Sequence, residues 1–121
     1  MIDSSALQIK TDDKGGIPVV AANGDVDLST APLLKREMEA AIGSAGKGAI
    51  LLDIRQVGFI DSAGLALLVD IRKRFATVCK LIVVITAGSQ PERVLKLGRF
   101  DTFLQVGYSV EEAVGEQLKA G

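Results

Sequence analysis

The sequence predicts an α/β fold in which an N-terminal antiparallel hairpin is followed by parallel strands joined by helices. Three observations support this prediction. Two strand-like segments near the start are joined by a linker too short to hold a helix, so they should pair as antiparallel neighbours. Helix-like and strand-like segments then alternate, which is typical of a parallel sheet with right-handed crossovers. The length of 121 residues, of which 48% are hydrophobic and 24% charged, fits a single domain over residues 1–121.

The hairpin comes first along the chain. Leu7–Thr11 alternates apolar and polar residues, and Ile17–Ala22 is apolar and rich in β-branched side chains, so each predicts a strand. Asp12–Gly16 lies between them and is the predicted turn.

The first helix is expected next. Ser29 or Thr30 should cap it, Pro32 fits its first turn, and Gly46 and Gly48 should end it. Its apolar residues recur at helical spacing: Leu34, Met38, Ala41, Ile42 and Ala45.

Two buried strands and a second helix follow. Ala49–Ile54 and Leu81–Thr86 are apolar except at Asp53 and Thr86, so Leu52 and Val83 should lie at the centre of the sheet, covered on both faces. The helix between them is predicted from about Ser62 to Thr77. It is apolar through Leu65, Leu67, Leu68 and Ile71, and basic near its end at Arg72, Lys73 and Arg74.

Two shorter helices complete the pattern. Ser89 with Glu92, and Ser109 with Glu112, each have the spacing of a capping box, which predicts a helix start at both places. Phe103–Val106 is predicted as a short edge strand between these helices.

Composition excludes several kinds of chemistry. The chain has no histidine, so Ser-His-Asp and Cys-His nucleophile systems, histidine phosphotransfer and histidine-bearing zinc sites are absent. Cys79 is the single cysteine and has no partner for a disulfide, which favours a reducing compartment. We expect no metal site and no cofactor.

Charge and hydropathy bear on partners and location. The net charge of −1, from 14 basic and 15 acidic residues, gives no excess of positive charge for nucleic acid or an anionic membrane. The apolar runs are far shorter than the roughly 20 residues that a membrane helix needs, and no signal segment follows Met1. We therefore expect a cytoplasmic protein that binds neither nucleic acid nor membrane.

Two motifs suggest nucleotide or phosphate chemistry but fit it poorly. The glycine-rich stretch 43–48 lacks the first glycine and the final hydroxyl of a P-loop, and it leaves a helix instead of starting one. Asp12, Asp13, Asp53 and Thr86 resemble the acidic and hydroxyl residues of a two-component receiver domain. The hairpin position of Asp12 and Asp13, and the lack of a lysine near Phe103–Val106, argue against this interpretation.

The most informative segment is Val57–Leu65, which leads from a buried strand into the second helix. Asp61 and Ser62 lie where that helix begins, so one simple interpretation is that either residue is only an N-cap. Leu65 replaces the Glu or Gln of a capping box, and the first turn is small and apolar, so it could face a partner. A phosphate on Ser62 would place about −1.5 to −2 charges at the positive end of the helix, which the helix tolerates.

Asp27 follows the second strand, as Asp61 follows the third. Loops after parallel strands lie at the same edge of a sheet, so Asp27 is expected near Ser62. The competing interpretation is that Asp27 is a solvated turn residue or a helix cap.

At these residues the chain resembles the STAS domains of bacterial anti-sigma factor antagonists. Gly24–Asp27, Leu52–Arg55 and Phe59–Leu65 match the family in order and spacing, and the resemblance covers nearly the whole chain. It implies a STAS-like mixed sheet and a partner-switching protein without catalytic activity.

The resemblance also implies partners. Such proteins bind an anti-sigma factor that is a serine kinase of histidine-kinase fold, which frees the sigma factor, and phosphorylation of the serine matching Ser62 releases them. A metal-dependent serine phosphatase reverses the modification. Asp27, Asp61, Ala63, Gly64 and Leu65 are the implied partner-binding residues. Many close relatives have a second serine where this chain has Ala63.

Two other functions stay open on the sequence alone. STAS domains of stress-sensing or lipid-transport assemblies share the fold without this role, so the chain could be a scaffold subunit in which Ser62 is never phosphorylated. A small nucleotide-binding enzyme is the remaining alternative.

Overall fold

The computed structural model describes residues 7–45 and 48–120, with the side chains of Ala45 and Ala120 excepted. It contains one five-stranded sheet in the order β1-β2-β3-β4-β5. The strands are β1 (Leu7–Lys14), β2 (Ile17–Val26), β3 (Gly48–Ile60), β4 (Cys79–Val84) and β5 (Gln105–Gly107). The helices are α1 (Ala31–Ala45), α2 (Ser62–Arg74), α3 (Gln90–Leu97) and α4 (Val110–Ala120), with a 3-10 helix at Phe100–Thr102.

The sheet has the predicted mixed topology. β1 pairs antiparallel with β2, and every later pairing is parallel. Leu52 and Val83 are fully buried in the central strands, as their apolar surroundings predict. The predicted fold class is therefore confirmed.

Helices cover both faces of the sheet. The larger apolar cluster joins Leu34 of α1, Leu68 of α2 and Leu95 of α3 to one face. The smaller cluster joins Val110, Ala113 and Val114 of α4 to the other face. This layering leaves the first turn of α2 at the carboxyl edge of the parallel strands, where β3 ends.

The hairpin turn is tighter than predicted. β1 continues to Lys14, so Asp12 and Asp13 belong to the strand, and the turn itself consists of Gly15 and Gly16. Both glycines have positive φ, of 65° and 90°, which a side chain would disfavour and glycine permits. The two glycines thus allow the shortest connection, and the strands extend up to it.

β2 and β3 also run further than predicted. β2 continues from Ala22 to Val26, and β3 continues from Ile54 to Ile60. The register between these strands shifts twice, between Ala21 and Asn23 and between Gly24 and Asp25. Such irregularities allow polar residues and glycine within a strand. The apolar pattern of the sequence therefore did not predict the ends of β2 and β3.

Smaller boundary differences occur elsewhere. α2 ends at Arg74 instead of Thr77, β4 spans Cys79–Val84 instead of 81–86, and β5 spans Gln105–Gly107 instead of 103–106. Thr30 directly precedes α1, but its hydroxyl accepts a bond from the N–H of Asp27 and does not cap the helix as predicted. Gly46, one of the predicted helix ends, lies outside the described residues, and Gly48 begins β3.

Candidate functional site

The loops that follow β2 and β3 lie side by side at the carboxyl edge of the sheet. Val26 and Ile60 are paired at the ends of these strands, so Asp27 and Asp61 begin adjacent loops. The N–H of Asp61 donates to the carbonyl of Val26 at 3.1 Å. The structure therefore brings the two sequence-predicted acidic segments together.

Asp61 is the N-cap of α2. Its Oδ1 accepts a hydrogen bond from the N–H of Gly64 at 3.0 Å, and its Oδ2 accepts one from the N–H of Leu28 at 3.2 Å. Each carboxylate oxygen thus satisfies a backbone donor, one in its own helix and one in the loop before α1.

Ser62 is the first residue of α2 and is exposed. Its hydroxyl forms no hydrogen bond with any residue in the described ranges 7–45 and 48–120. Because Asp61 does the capping, the simple interpretation of Ser62 as a cap does not hold in this structure. The Ser62 side chain is exposed and takes no part in capping α2.

The next residues of α2 differ in what they face. Ala63 and Leu65 are half-buried, whereas Gly64 is buried against the strand ends. A Cβ atom at Gly64 would lie 2.5 Å from Cγ1 of Ile60 and 2.9 Å from the carbonyl oxygen of Val26. The absence of a side chain at Gly64 therefore lets the first turn of α2 approach the ends of β2 and β3.

An open groove runs along α2 from Ser62. It has a volume of about 470 Å³ and a mainly apolar lining. Its lining residues are Ser62, Leu65, Ala66, Val69, Asp70, Lys73 and Phe100.

Asp27 holds the start of α1. Its Oδ1 accepts bonds from the hydroxyl of Ser29 at 2.8 Å and from the N–H groups of Ser29 and Thr30 at 3.0 and 3.1 Å. The Ser29 hydroxyl is the main cause that lowers the pKa of Asp27, with the backbone bonds adding to it. The carboxylate therefore has a structural role in its own loop, next to the loop that carries Ser62.

Two further residues contribute to this edge of the sheet and were not found from the sequence. Gln90, at the start of α3, pairs through its side-chain amide with the backbone of Ile60. Leu28 exposes 77% of its surface beside Asp61. A glutamine after a helix cap and a leucine in a loop carry no pattern that would identify either role.

The alternative motifs do not form sites. Asp53 forms a bidentate ion pair with Arg55, with distances of 2.9 and 3.0 Å, and Thr86 donates to the backbone carbonyl of Arg55. Asp12 and Asp13 lie at the hairpin instead. Gly43 lies within α1, and residues 46 and 47 of the glycine-rich stretch are outside the described part.

The described part of the chain offers neither a metal cluster nor a membrane-spanning helix. No three Cys, Asp or Glu side chains in it are grouped so that they could hold a metal ion. None of its helices has the length and apolarity needed to cross a bilayer.

The site is thus a helix start that carries an exposed serine, on a mixed α/β sheet that begins with an antiparallel hairpin. The chain belongs to the STAS domain family, whose model matches residues 8–113. A Thermotoga neapolitana protein, named as a homologue of a candidate anti-sigma factor antagonist, is 25% identical over 83% of this chain and 88% of its own length.

Solved structures share the fold. An anti-sigma factor antagonist from Mycobacterium paratuberculosis superposes with a TM-score of 0.85 at 21% identity, covering 97% of this chain and 98% of that one. SpoIIAA, an anti-sigma factor antagonist, superposes in its unphosphorylated form with a TM-score of 0.64 at 20% identity, covering 94% and 98%. The phosphorylated form of Bacillus SpoIIAA has a TM-score of 0.60 at 17% identity, covering 92% and 98%.

Proposed function

We propose that this chain is an anti-sigma factor antagonist that acts by phosphorylation-controlled partner switching. In this proposal it is a single domain over residues 1–121 and a binding protein, not an enzyme, and it acts in the cytoplasm, where transcription takes place. Family membership and the names of its relatives support the general role. A structural neighbour known in phosphorylated and unphosphorylated forms supports the switch.

One observation carries the proposal, the exposed hydroxyl of Ser62 at the start of a helix that Asp61 already caps. A kinase can reach such a hydroxyl without unfolding the helix. Modification also leaves the cap in place, so the domain keeps its fold while its surface changes charge.

The unphosphorylated form binds an anti-sigma factor of histidine-kinase fold and frees the sigma factor. That protein then transfers the γ-phosphoryl group of ATP to Oγ of Ser62. A bond forms between Oγ and phosphorus, the bond to the β-phosphate oxygen breaks, ADP leaves, and a base of the kinase takes the hydroxyl proton. A metal-dependent phosphatase resets the protein by transferring the phosphoryl group to water.

The five proposed partner-binding residues divide by what they do. Ala63 and Leu65 offer apolar contact beside Ser62. Asp61 and Gly64 hold the first turn of α2 in place, and Asp27 holds the neighbouring loop. A phosphate adds about −1.5 to −2 charges beside the Asp61 carboxylate. A docked partner with anionic groups there is repelled, and one with apolar groups desolvates the phosphate, so both effects weaken binding.

A pull-down followed by phosphorylation tests the proposal. Wild-type protein captures its partner from a lysate of its host, and the captured kinase with ATP should add one phosphate, found by mass spectrometry at Ser62. Ser62→Ala should abolish the modification. Ser44→Ala changes an exposed serine near the C-terminal end of α1 and should leave the modification unchanged.

Two results would contradict the proposal. One is equal phosphorylation of the Ser62→Ala variant. The other is a Ser62→Asp variant that binds the captured kinase as tightly as the wild type does. If protein purified from its host carries no phosphate on Ser62 under any growth condition, the chain acts instead as a constitutive scaffold.

A further inference from the structure

β3 extends past its neighbour β4. Their pairing ends at Asp53 and Val84, whereas β3 continues to Ile60. Ile60 is 2% exposed, so its backbone N–H and carbonyl groups need hydrogen-bond partners other than water.

Gln90 provides those partners. Its Oε1 accepts a hydrogen bond from the N–H of Ile60 at 2.9 Å, and its Nε2 donates one to the carbonyl of Ile60 at 3.0 Å. The side-chain amide thus pairs with β3 as the backbone of another strand would. Its orientation is fixed, since the amide oxygen only accepts and the amide nitrogen only donates.

The start of α3 is itself held firmly. Ser89 caps this helix by accepting from the N–H of Glu92 at 3.3 Å, and its hydroxyl donates to the carbonyl of Thr86 at 2.6 Å. Glu92 in turn accepts from the N–H of Gly88 at 2.9 Å. Gln90 therefore reaches Ile60 from a fixed point of the fold.

Ile60 directly precedes Asp61 and Ser62. The β2 side of this loop is fixed by the bond between the N–H of Asp61 and the carbonyl of Val26, and the side facing α3 is fixed by Gln90. We propose that Gln90 is a positioning residue that holds Ser62 in the orientation required for phosphoryl transfer. This inference rests on the proposed function.

The test compares two variants of Gln90. Gln90→Leu has a similar size but forms neither hydrogen bond. In Gln90→Glu the ionised carboxylate can still accept from Ile60 but cannot donate to its carbonyl, whereas the protonated acid can do both. Gln117→Leu on α4 makes the same chemical change at a residue whose side chain forms no hydrogen bond within the described part, and it is the control.

Nuclear magnetic resonance gives a readout that needs no kinase. In Gln90→Leu the amide of Ile60 should exchange with solvent roughly tenfold faster, as expected for the loss of one hydrogen bond. In Gln90→Glu the carbonyl carbon shift of Ile60 should depart from the wild-type value at neutral pH and return towards it as the introduced carboxylate is protonated. Wild type measured at each pH accounts for titration of the nearby Asp61, Asp27 and Glu92.

Phosphorylation kinetics then separate positioning from stability. A misplaced hydroxyl slows the chemical step, so the kcat of the captured kinase on Gln90→Leu should fall about tenfold to a hundredfold, with a much smaller change in KM. Gln117→Leu should behave as the wild type.

Each outcome decides a different statement. Unchanged exchange of the Ile60 amide in Gln90→Leu, or an unchanged Ile60 carbonyl shift in Gln90→Glu at neutral pH, would show that the hydrogen-bond pair does not hold the loop. Changed exchange with a kcat equal to that of Gln117→Leu would overturn the positioning role. If the wild type is not phosphorylated at Ser62, the proposed function fails and the kinetic role of Gln90 fails with it, while exchange still reports whether Gln90 fixes the loop.

Discussion

The backbone N–H of Leu28 donates a hydrogen bond to Oδ2 of Asp61 at 3.2 Å, across a sequence separation of 33 residues. The other carboxylate oxygen of Asp61 caps α2 through the N–H of Gly64. One side chain thus fixes the start of α2 and also the loop that exposes Leu28. The apolar surface of Leu28 and the hydroxyl of Ser62 consequently belong to one rigid edge of the molecule.

Asp61→Ala should lower the free energy of unfolding by about 2 kcal/mol, because it removes an N-cap and a hydrogen bond between loops. Asp61→Asn should lose only about 1 kcal/mol, since asparagine is also a good cap but its amide nitrogen cannot accept from Leu28. Urea unfolding followed by circular dichroism measures both values. Equal losses in the two variants would mean that the cap contributes little.

Gly64→Ala should destabilise the fold. The added Cβ would lie 2.5 Å from Cγ1 of Ile60 and 2.9 Å from both Cγ1 and the carbonyl oxygen of Val26, so α2 must move away from the sheet. Overpacking of this kind costs about 1–3 kcal/mol, which urea unfolding would show as a lower midpoint.

Gly43→Ala is the matched control for that substitution. Gly43 also lies in a helix, but a Cβ there meets nothing within 4 Å in the described part of the chain. Alanine has the higher helix propensity, so this variant should gain about 0.5–1 kcal/mol. A loss in both variants would mean that glycine is required for a reason other than close packing.

Asp27 should contribute to acid unfolding. The Ser29 hydroxyl and backbone N–H groups lower its pKa in the folded state, so folding is favoured by its ionised form. This contribution is present above the ordinary carboxyl pKa of about 3.9 and is lost as the pH falls through the lower folded value. Asp27→Asn should therefore reduce the loss of stability on acidification below about pH 4.

Ser29→Ala provides the control for the cause of that shift. It removes the strongest hydrogen bond to Asp27, so the pKa of Asp27 should rise towards its ordinary value. Carbon-13 titration of the Asp27 carboxyl group measures it, and an unchanged pKa would show that the backbone bonds and the Thr30 hydroxyl set the value without Ser29.

The sequence predicted the sheet well because the middle parts of its central strands are apolar. Leu52 and Val83 lie in unbroken runs that only a strand buried on both faces requires. It failed at the ends of β2 and β3, where Asn23, Asp25 and Gly58 interrupt that pattern. There β2 and β3 stay paired with two shifts of register, and the end of β3 also bonds to the side chain of Gln90. Both features depend on residues distant in sequence.

The candidate site shows the same division. Asp61 and Ser62 could be placed at a helix start from local spacing, and adjacent parallel strands brought Asp27 near them. The choice of Asp61 over Ser62 as the cap could not be predicted, because both are good caps. Gln90 could not be predicted either, since its partner Ile60 lies 30 positions away.

Ser62→Asp should leave the stability of the free domain nearly unchanged. A negative charge in the first turn of a helix is worth about 0.3–1 kcal/mol, and repulsion from Asp61 opposes it, so the net change should be within about 1 kcal/mol. Urea unfolding measures the variant beside Ser62→Asn, which has a similar size and no charge. The proposed switch requires that the added charge weakens the complex and not the fold. A large loss of stability in Ser62→Asp, absent from Ser62→Asn, would mean that weakened binding reflects a damaged domain.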